Sequence, residues 1–508
     1  MLKKKIVWLV IAMLIISLIA TGCNSTTTSG KGGKDTLTVA QGADPKSFDP
    51  HATNDQPSSR ISKQIYSRLV EANEKMEIIP GLAESWNKID DLTWEFNLRK
   101  GVKFHNGEEF KANDVKFTLE RMKASQTVAH ILGPVEEIKI ADDYKVLIKT
   151  SEPFAPLLAH LSHTASSILN EKAVTEAGED YGQHPIGTGP FKFIQWDAGD
   201  KVIIERFDEY FGGPAKLKTV VFRSIPEGTN RAIGLETGEI DIAYDIDPID
   251  KEKVKTHNNL ELIEGPSLSS QYIGFNINKE PFNNVKVRKA LNHAINVQEI
   301  IDVVLEGAGQ KANSPLADMV FGHNPDIKGY EYNVQKAKDL LKEAGYEKGF
   351  KTTIWTNENP VRVQIADIVQ AQLKEVGIDV SIEVVEWSAY LDRTANGEHD
   401  MFILGWVAVT GDADYGLYAL FHSSQHGSSG NRTFFSNPTV DKLLDEGKTT
   451  VDSNKRLKAY KEAQEIIVEE APQLFLYFAT QNAGVQKNIK GFTLHPAGHH
   501  SVYDVSFK

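Results

Sequence analysis

Cysteine is almost absent: Cys23 is the only one in 508 residues, so no disulfide can form within the chain and its stability has to come from packing. Catalytic signatures are absent as well. There is no His-Glu-x-x-His zinc pattern, no Gly-x-Ser-x-Gly elbow and no Walker phosphate loop. No motif therefore points to an enzyme, a resident metal or a cofactor, and any step driven by ATP belongs to another chain. Positive charge is in deficit, 56 Lys and Arg against 69 Asp and Glu, for a formal charge of −13. A net-negative protein is repelled by a phosphate backbone, so nucleic acid is not an expected partner. No internal repeat of about twenty to fifty residues is visible, which argues against solenoids and propellers.

What is present is an ordinary globular composition, 41% hydrophobic and 25% charged, in a chain too long for one core. Two or three lobes are expected. The first 22 residues differ from all that follows. Lys3, Lys4 and Lys5 form a basic start, residues 6–20 form an apolar run, and Ala20-Thr21-Gly22-Cys23 closes the segment. Small residues before a lone cysteine resemble the lipobox of bacterial lipoproteins, which makes 1–22 a signal peptide and Cys23 the lipidated amino terminus. An ordinary signal peptide with an incidental cysteine, or an uncleaved anchor, are the plainer readings. All three place the folded body outside the cytoplasm. Residues 23–35, small and polar, have the composition of a flexible tether.

Along the body, Ile61, Ile65 and Leu69 recur at helical spacing, and Trp94, Phe96 and Leu98 alternate with polar residues as in a half-buried strand. A helix is expected from about Asn113 with that residue as cap, a strand over 144–149 and a helical stretch over 154–169. The turn formers of 184–190 mark a crossing between lobes. Beyond Pro281 the pattern turns to strand-helix alternation, the signature of an α/β lobe.

Residues 352–421 read as consecutive βαβ units: strands at 352–355, 378–384 and 401–406, with helices at 365–376 and 388–394. Ligands of such sheets sit beyond the carboxyl ends of the strands. Arg362 falls in the first turn of the first of these helices, where a guanidinium and free backbone N–H groups suit a carboxylate. Asp412 falls in the loop after Trp406, where an ionised carboxylate suits an ammonium. Together they fit a zwitterion. Each also has a plainer reading, Arg362 as a solvated helix-start residue and Asp412 as a turn former. Trp406 and Tyr415 read as core aromatics or cleft walls, and Asp414 as structural. Arg432, within Gly430-Asn431-Arg432, is a second candidate for a ligand carboxylate or a surface loop residue, and Tyr272 completes the candidate set. Of the 15 histidines, His499 and His500 read as a solvated tail, or as support for a metal-chelate ligand.

A series of segments then carries a resemblance over nearly the whole body. They include Gly81-Leu82-Ala83-Glu84-Ser85-Trp86, Trp94-Glu95-Phe96-Asn97-Leu98-Arg99-Lys100-Gly101-Val102-Lys103-Phe104 and Gly187-Thr188-Gly189-Pro190-Phe191. Gly238-Glu239-Ile240-Asp241 and Phe282-Asn283-Asn284-Val285-Lys286-Val287-Arg288-Lys289-Ala290-Leu291 follow in the same order. The chain resembles the bacterial extracellular solute-binding proteins of family 5, the peptide and nickel-chelate class. That resemblance implies an α/β two-lobed flytrap with an extra lobe inserted into the first. The lobes are expected at 36–72 with 187–278 and 478–508, at 73–186 for the insertion and at 279–477, hinged near 275–282 and 475–480. It also implies Asp412 on a peptide amino terminus and Arg362 on its carboxylate, although the usual Asp-Pro-Asp is Asp412-Ala413-Asp414 here. The function so implied is a lipid-anchored receptor, monomeric and not an enzyme, that captures di- or oligopeptides, glutathione included. It would deliver them to ABC permease subunits with a separate ATPase. A nickel chelate is the alternative ligand, and an exported hydrolase or adhesion lipoprotein the alternative of another class.

Overall fold

The computed structural model describes residues 35–508; the signal segment, Cys23 and all of the tether but Asp35 lie outside the described residues. Strands form where β-branched and aromatic residues alternate with polar ones. Leu37 and Val39, Val202 and Ile204, and Val220 and Phe222 all turn inward from their strands into one core. These strands belong to a seven-stranded sheet in the order Leu260–Gly265, Gln481–Gln486, Ile242–Tyr244, Thr36–Gln41, Thr219–Ser224, Lys201–Arg206, Phe191–Asp197. Thr36–Gln41 runs parallel to both of its neighbours, and the remaining pairs are antiparallel.

A second, six-stranded sheet has the order Gln310–Lys311, Gln473–Phe478, Ser269–Phe275, Met401–Val407, Lys351–Asn357, Asp379–Val385. Its parallel part carries the βαβ units expected from the sequence, with helices Pro360–Glu375 and Trp387–Ala395 as crossovers. Every residue of Gln473–Phe478 is buried, as befits a strand covered on both faces. A four-stranded antiparallel sheet, Ala83–Lys88, Thr93–Leu98, Lys145–Thr150, Val135–Asp142, packs on helix Ala112–Lys123 around a core of its own. Two large sheets with separate cores and an additional smaller one make the α/β two-lobed flytrap with its extra lobe.

The chain passes between the large sheets at 266–268 and at Ala479 and Thr480, where Ala479 N donates to the Ser269 carbonyl at 3.1 Å, so the two links run side by side. The second crossing falls within the expected 475–480. The first lies upstream of the expected 275–282, because Ser269–Phe275 pairs with Met401–Val407 and Gln473–Phe478 rather than with the first sheet. Two local expectations also change. The stretch 154–169 holds only the short helix Leu157–Leu161 and a 3-10 turn, since Ser166 and Ser167 return their hydroxyls to the His160 and Thr164 carbonyls and compete with helix. The helix near Asn113 starts at Ala112, with Asp114 accepting from the Lys111 N–H at 2.9 Å. No helix among the described residues is long and apolar enough to cross a membrane.

Candidate ligand-binding cleft

A cavity of about 560 Å³ opens between the two large sheets, a volume suited to a small organic ligand. The second sheet contributes the loops beyond its strand ends, as its topology requires. Asn359 caps the helix Pro360–Glu375 by accepting from the Arg362 N–H at 3.0 Å, which holds Arg362 in the first turn at the cleft wall. Arg362 Nη1 donates to Asn357 Oδ1 at 3.0 Å and Nη2 to Gln271 Oε1 at 3.3 Å. Its guanidinium lies 5.9 Å from the centre of the Trp387 ring. All these partners are neutral. Gln271 in turn lies over Gly405, where a Cβ would come within 2.1 Å of the amide nitrogen, so only glycine leaves room for this support.

Arg432 also lines the cleft and is 8% exposed, with no hydrogen-bond partner for its Nε. Burial pulls its guanidinium below the ordinary arginine value. Among the described residues, no carboxylate stands within ion-pair distance of Arg362 or Arg432. Trp406 and Tyr415 form an aromatic wall with ring centres 5.2 Å apart. The amide nitrogen of Asn54, from the opposite side, donates to the Tyr415 hydroxyl at 2.9 Å. Trp387 Nε1 likewise reaches across to Asp55 Oδ2 at 3.3 Å, and Lys46 pairs with Asp392.

Asp412 does not line the cleft. Asp412 is 9% exposed, and its carboxylate accepts from Arg456 Nη2 at 2.7 and 2.9 Å and from the Asp414 N–H at 2.9 Å. Burial pushes this carboxyl up from its ordinary value, against the pull of Arg456. The expected ammonium site is therefore a buried tie between the loop and helix Ser453–Glu470, which corrects the zwitterion reading. Asp414 is also turned inward, 2.9 Å from His160 Nε2, and acts as a structural link to the extra lobe. Tyr272 lies behind the wall at 1% exposure, edge-on to Phe402, its hydroxyl pushed up to about 12 by burial. His499 and His500 are buried rather than a solvated tail. His499 Nε2 meets Gln56 Oε1 at 2.7 Å at the cleft.

The sequence profile of the bacterial extracellular solute-binding proteins, family 5, middle region, matches residues 77–428. The chain belongs to this family. Similarity extends to the dipeptide-binding protein of Escherichia coli (strain K12), 34% identical over 506 residues that cover 93% of this chain and 95% of that one. The glutathione-binding protein GsiB of Pectobacterium atrosepticum is 34% identical over 474 residues, 90% of this chain and 91% of its own. Among solved structures, the periplasmic binding protein DppA of Helicobacter pylori in complex with the peptide STSA matches with a TM-score of 0.88 at 35% identity. That match covers 93% of this chain and 98% of the other.

Several groups of this family 5 cleft are ones that sequence reasoning passed over. Trp387 opens the helix after strand Asp379–Val385, so the strand-end rule that selected Arg362 could also have found it. Asn54, Arg60 and Asp245 come from the first sheet's side, where no period or motif sets them apart. Arg60 pairs with Asp245 at 2.7 Å, and although desolvation within the cleft opposes ionisation of the half-exposed Asp245, Arg60 outweighs it and holds the carboxyl below its ordinary value.

Proposed function

We propose that this solute-binding protein is the extracytoplasmic receptor of an ABC importer, held at the membrane by lipid on Cys23, with short peptides as its cargo. Di- and oligopeptides and glutathione are the ligand class. The observation that carries this reading is the cleft itself. Arg362, fixed at a helix start by Asn357, Asn359 and Gln271, offers its guanidinium to a terminal carboxylate beside the aromatic faces of Trp387, Trp406 and Tyr415. The names of the similar dipeptide- and glutathione-binding proteins support it.

The chain acts as a monomer and catalyses nothing. It takes up cargo between lobes made from 36–72, the region up to the first crossing and 481–508 on one side, and from 269–478 on the other, with 73–186 as the added lobe. Cargo that touches both sides stabilises the closed state, and release to the permease follows when the lobes part. Native mass spectrometry of protein purified without refolding should reveal a retained peptide. Calorimetry should then give binding heat with dipeptides or glutathione. Heat from a nickel–histidine complex alone, with none from any peptide, would overturn the peptide reading. Release of the mature protein from membranes in a Cys23→Ala variant tests the anchor.

A further inference from the structure

The charges in the cleft do not balance. Four carboxylates line it, Asp55, Asp245, Asp247 and Asp392. Asp245 is held by Arg60 at 2.7 Å and Asp392 by Lys46. Asp247 lies 3.8 Å from Arg231, and Asp55 accepts from Trp387 Nε1 and the Ser58 N–H. Three of these acids face a cation, and Asp55 has neutral donors only, which leaves its charge for a ligand ammonium. The acid expected to meet an ammonium, Asp412, is taken by Arg456. Arg362 and Arg432 remain, both on the cleft wall and both without a carboxylate among the described residues.

The two guanidiniums belong to one wall, since both come from the second sheet's side of the chain and line the same cavity. Arg432 is the more informative of the two. A guanidinium more than nine-tenths buried, with a partnerless Nε, is costly to keep unless something brings it an anion. Residues that only shaped the wall would not need this charge.

We propose that the cleft selects net-anionic peptides with two carboxylates, one on Arg362 and the other on Arg432. The inference rests on the peptide reading above and names its substrate class. A γ-glutamyl peptide or a peptide with an acidic side chain meets this requirement, and a neutral dipeptide does not. A single carboxylate shared by both arginines is the competing arrangement.

Calorimetry with matched pairs decides between them: Ala-Glu against Ala-Gln, and glutathione against its glycine ethyl ester. For at least one pair, the second carboxylate should tighten binding tenfold or more. Arg432→Met should bring that ratio close to one, while Arg432→Lys should restore part of it. Equal affinities within both pairs would overturn the proposal and leave the peptide reading standing. Silence from all four ligands would remove both. Should Arg432→Met fail to fold, the ratios measured on the unaltered protein still decide.

Discussion

Removing one member of a buried ion pair leaves the other charged, desolvated and alone. Asp412→Asn would do this to Arg456, which is 8% exposed along its side chain, at a cost of about 3 kcal/mol. Urea unfolding should show the loss, with ligand affinity much less affected. Arg362→Met should behave in the opposite way. Its guanidinium donates only to neutral amides within the protein, so its removal spares the fold. Its charge-assisted bond to a ligand carboxylate, at about 1.5–3 kcal/mol, makes the expected loss of affinity roughly tenfold to a hundredfold. Calorimetry and unfolding on the same two variants therefore separate the structural acid from the binding base. A Asp412→Asn variant that folds normally but loses ligand would return Asp412 to the cleft.

Strand Met401–Val407 shows how an element carries a site without touching the ligand's charge. Gly405 leaves space for the Gln271 amide, and Gln271 holds Arg362 Nη2 at 3.3 Å. Gly405→Ala should push the flexible Gln271 side chain aside and free the guanidinium, at about 1 kcal/mol of binding or roughly a fivefold weaker affinity. An unchanged affinity would mean that the helix cap alone positions Arg362. The placement of this strand and of the crossover helices is legible from period and length. The helix over 154–169 is not, because the competition from Ser166 and Ser167 depends on which carbonyls lie within reach of their hydroxyls. Strand Ser269–Phe275 is recognisable as a strand, yet its membership of the second sheet is set by partners at 401–407 and 473–478.

Across the whole molecule, burial keeps several histidines neutral. Their values are held at about 4 for His51 and His105 and at about 3 for His130, His399 and His500. The unfolded chain takes up these protons near the ordinary value of about 6.5, and the folded chain does not. Their stabilisation is complete above that value and is lost as the pH falls toward 4, by about 1.4 kcal/mol per pH unit for each group. Asp114, pushed up to about 6 by burial, and Asp247 and Asp412, raised in the same direction, have the opposite sign but are outnumbered by these five histidines. Thermal midpoints should therefore be level above pH 7 and fall steeply between pH 6.5 and 5. A flat profile there would show these histidines to be solvated. The Lys46–Asp392 pair, which spans the cleft, should favour the closed state. Lys46→Met is expected to enlarge the ligand-free radius of gyration in small-angle scattering.

Period, cap chemistry and order of segments were enough for the α/β class, the family and the position of Arg362 at a helix start, since these depend on neighbours a few residues apart. The fate of each charge was not. Asp412 is claimed by a residue 44 positions later, and Arg60 by one 185 positions away. Such pairings have no local pattern. They leave Arg362 and Arg432 as the cleft cations without a carboxylate among the described residues, because a charge becomes free or spent only when the folded chain brings its partner within a few ångströms.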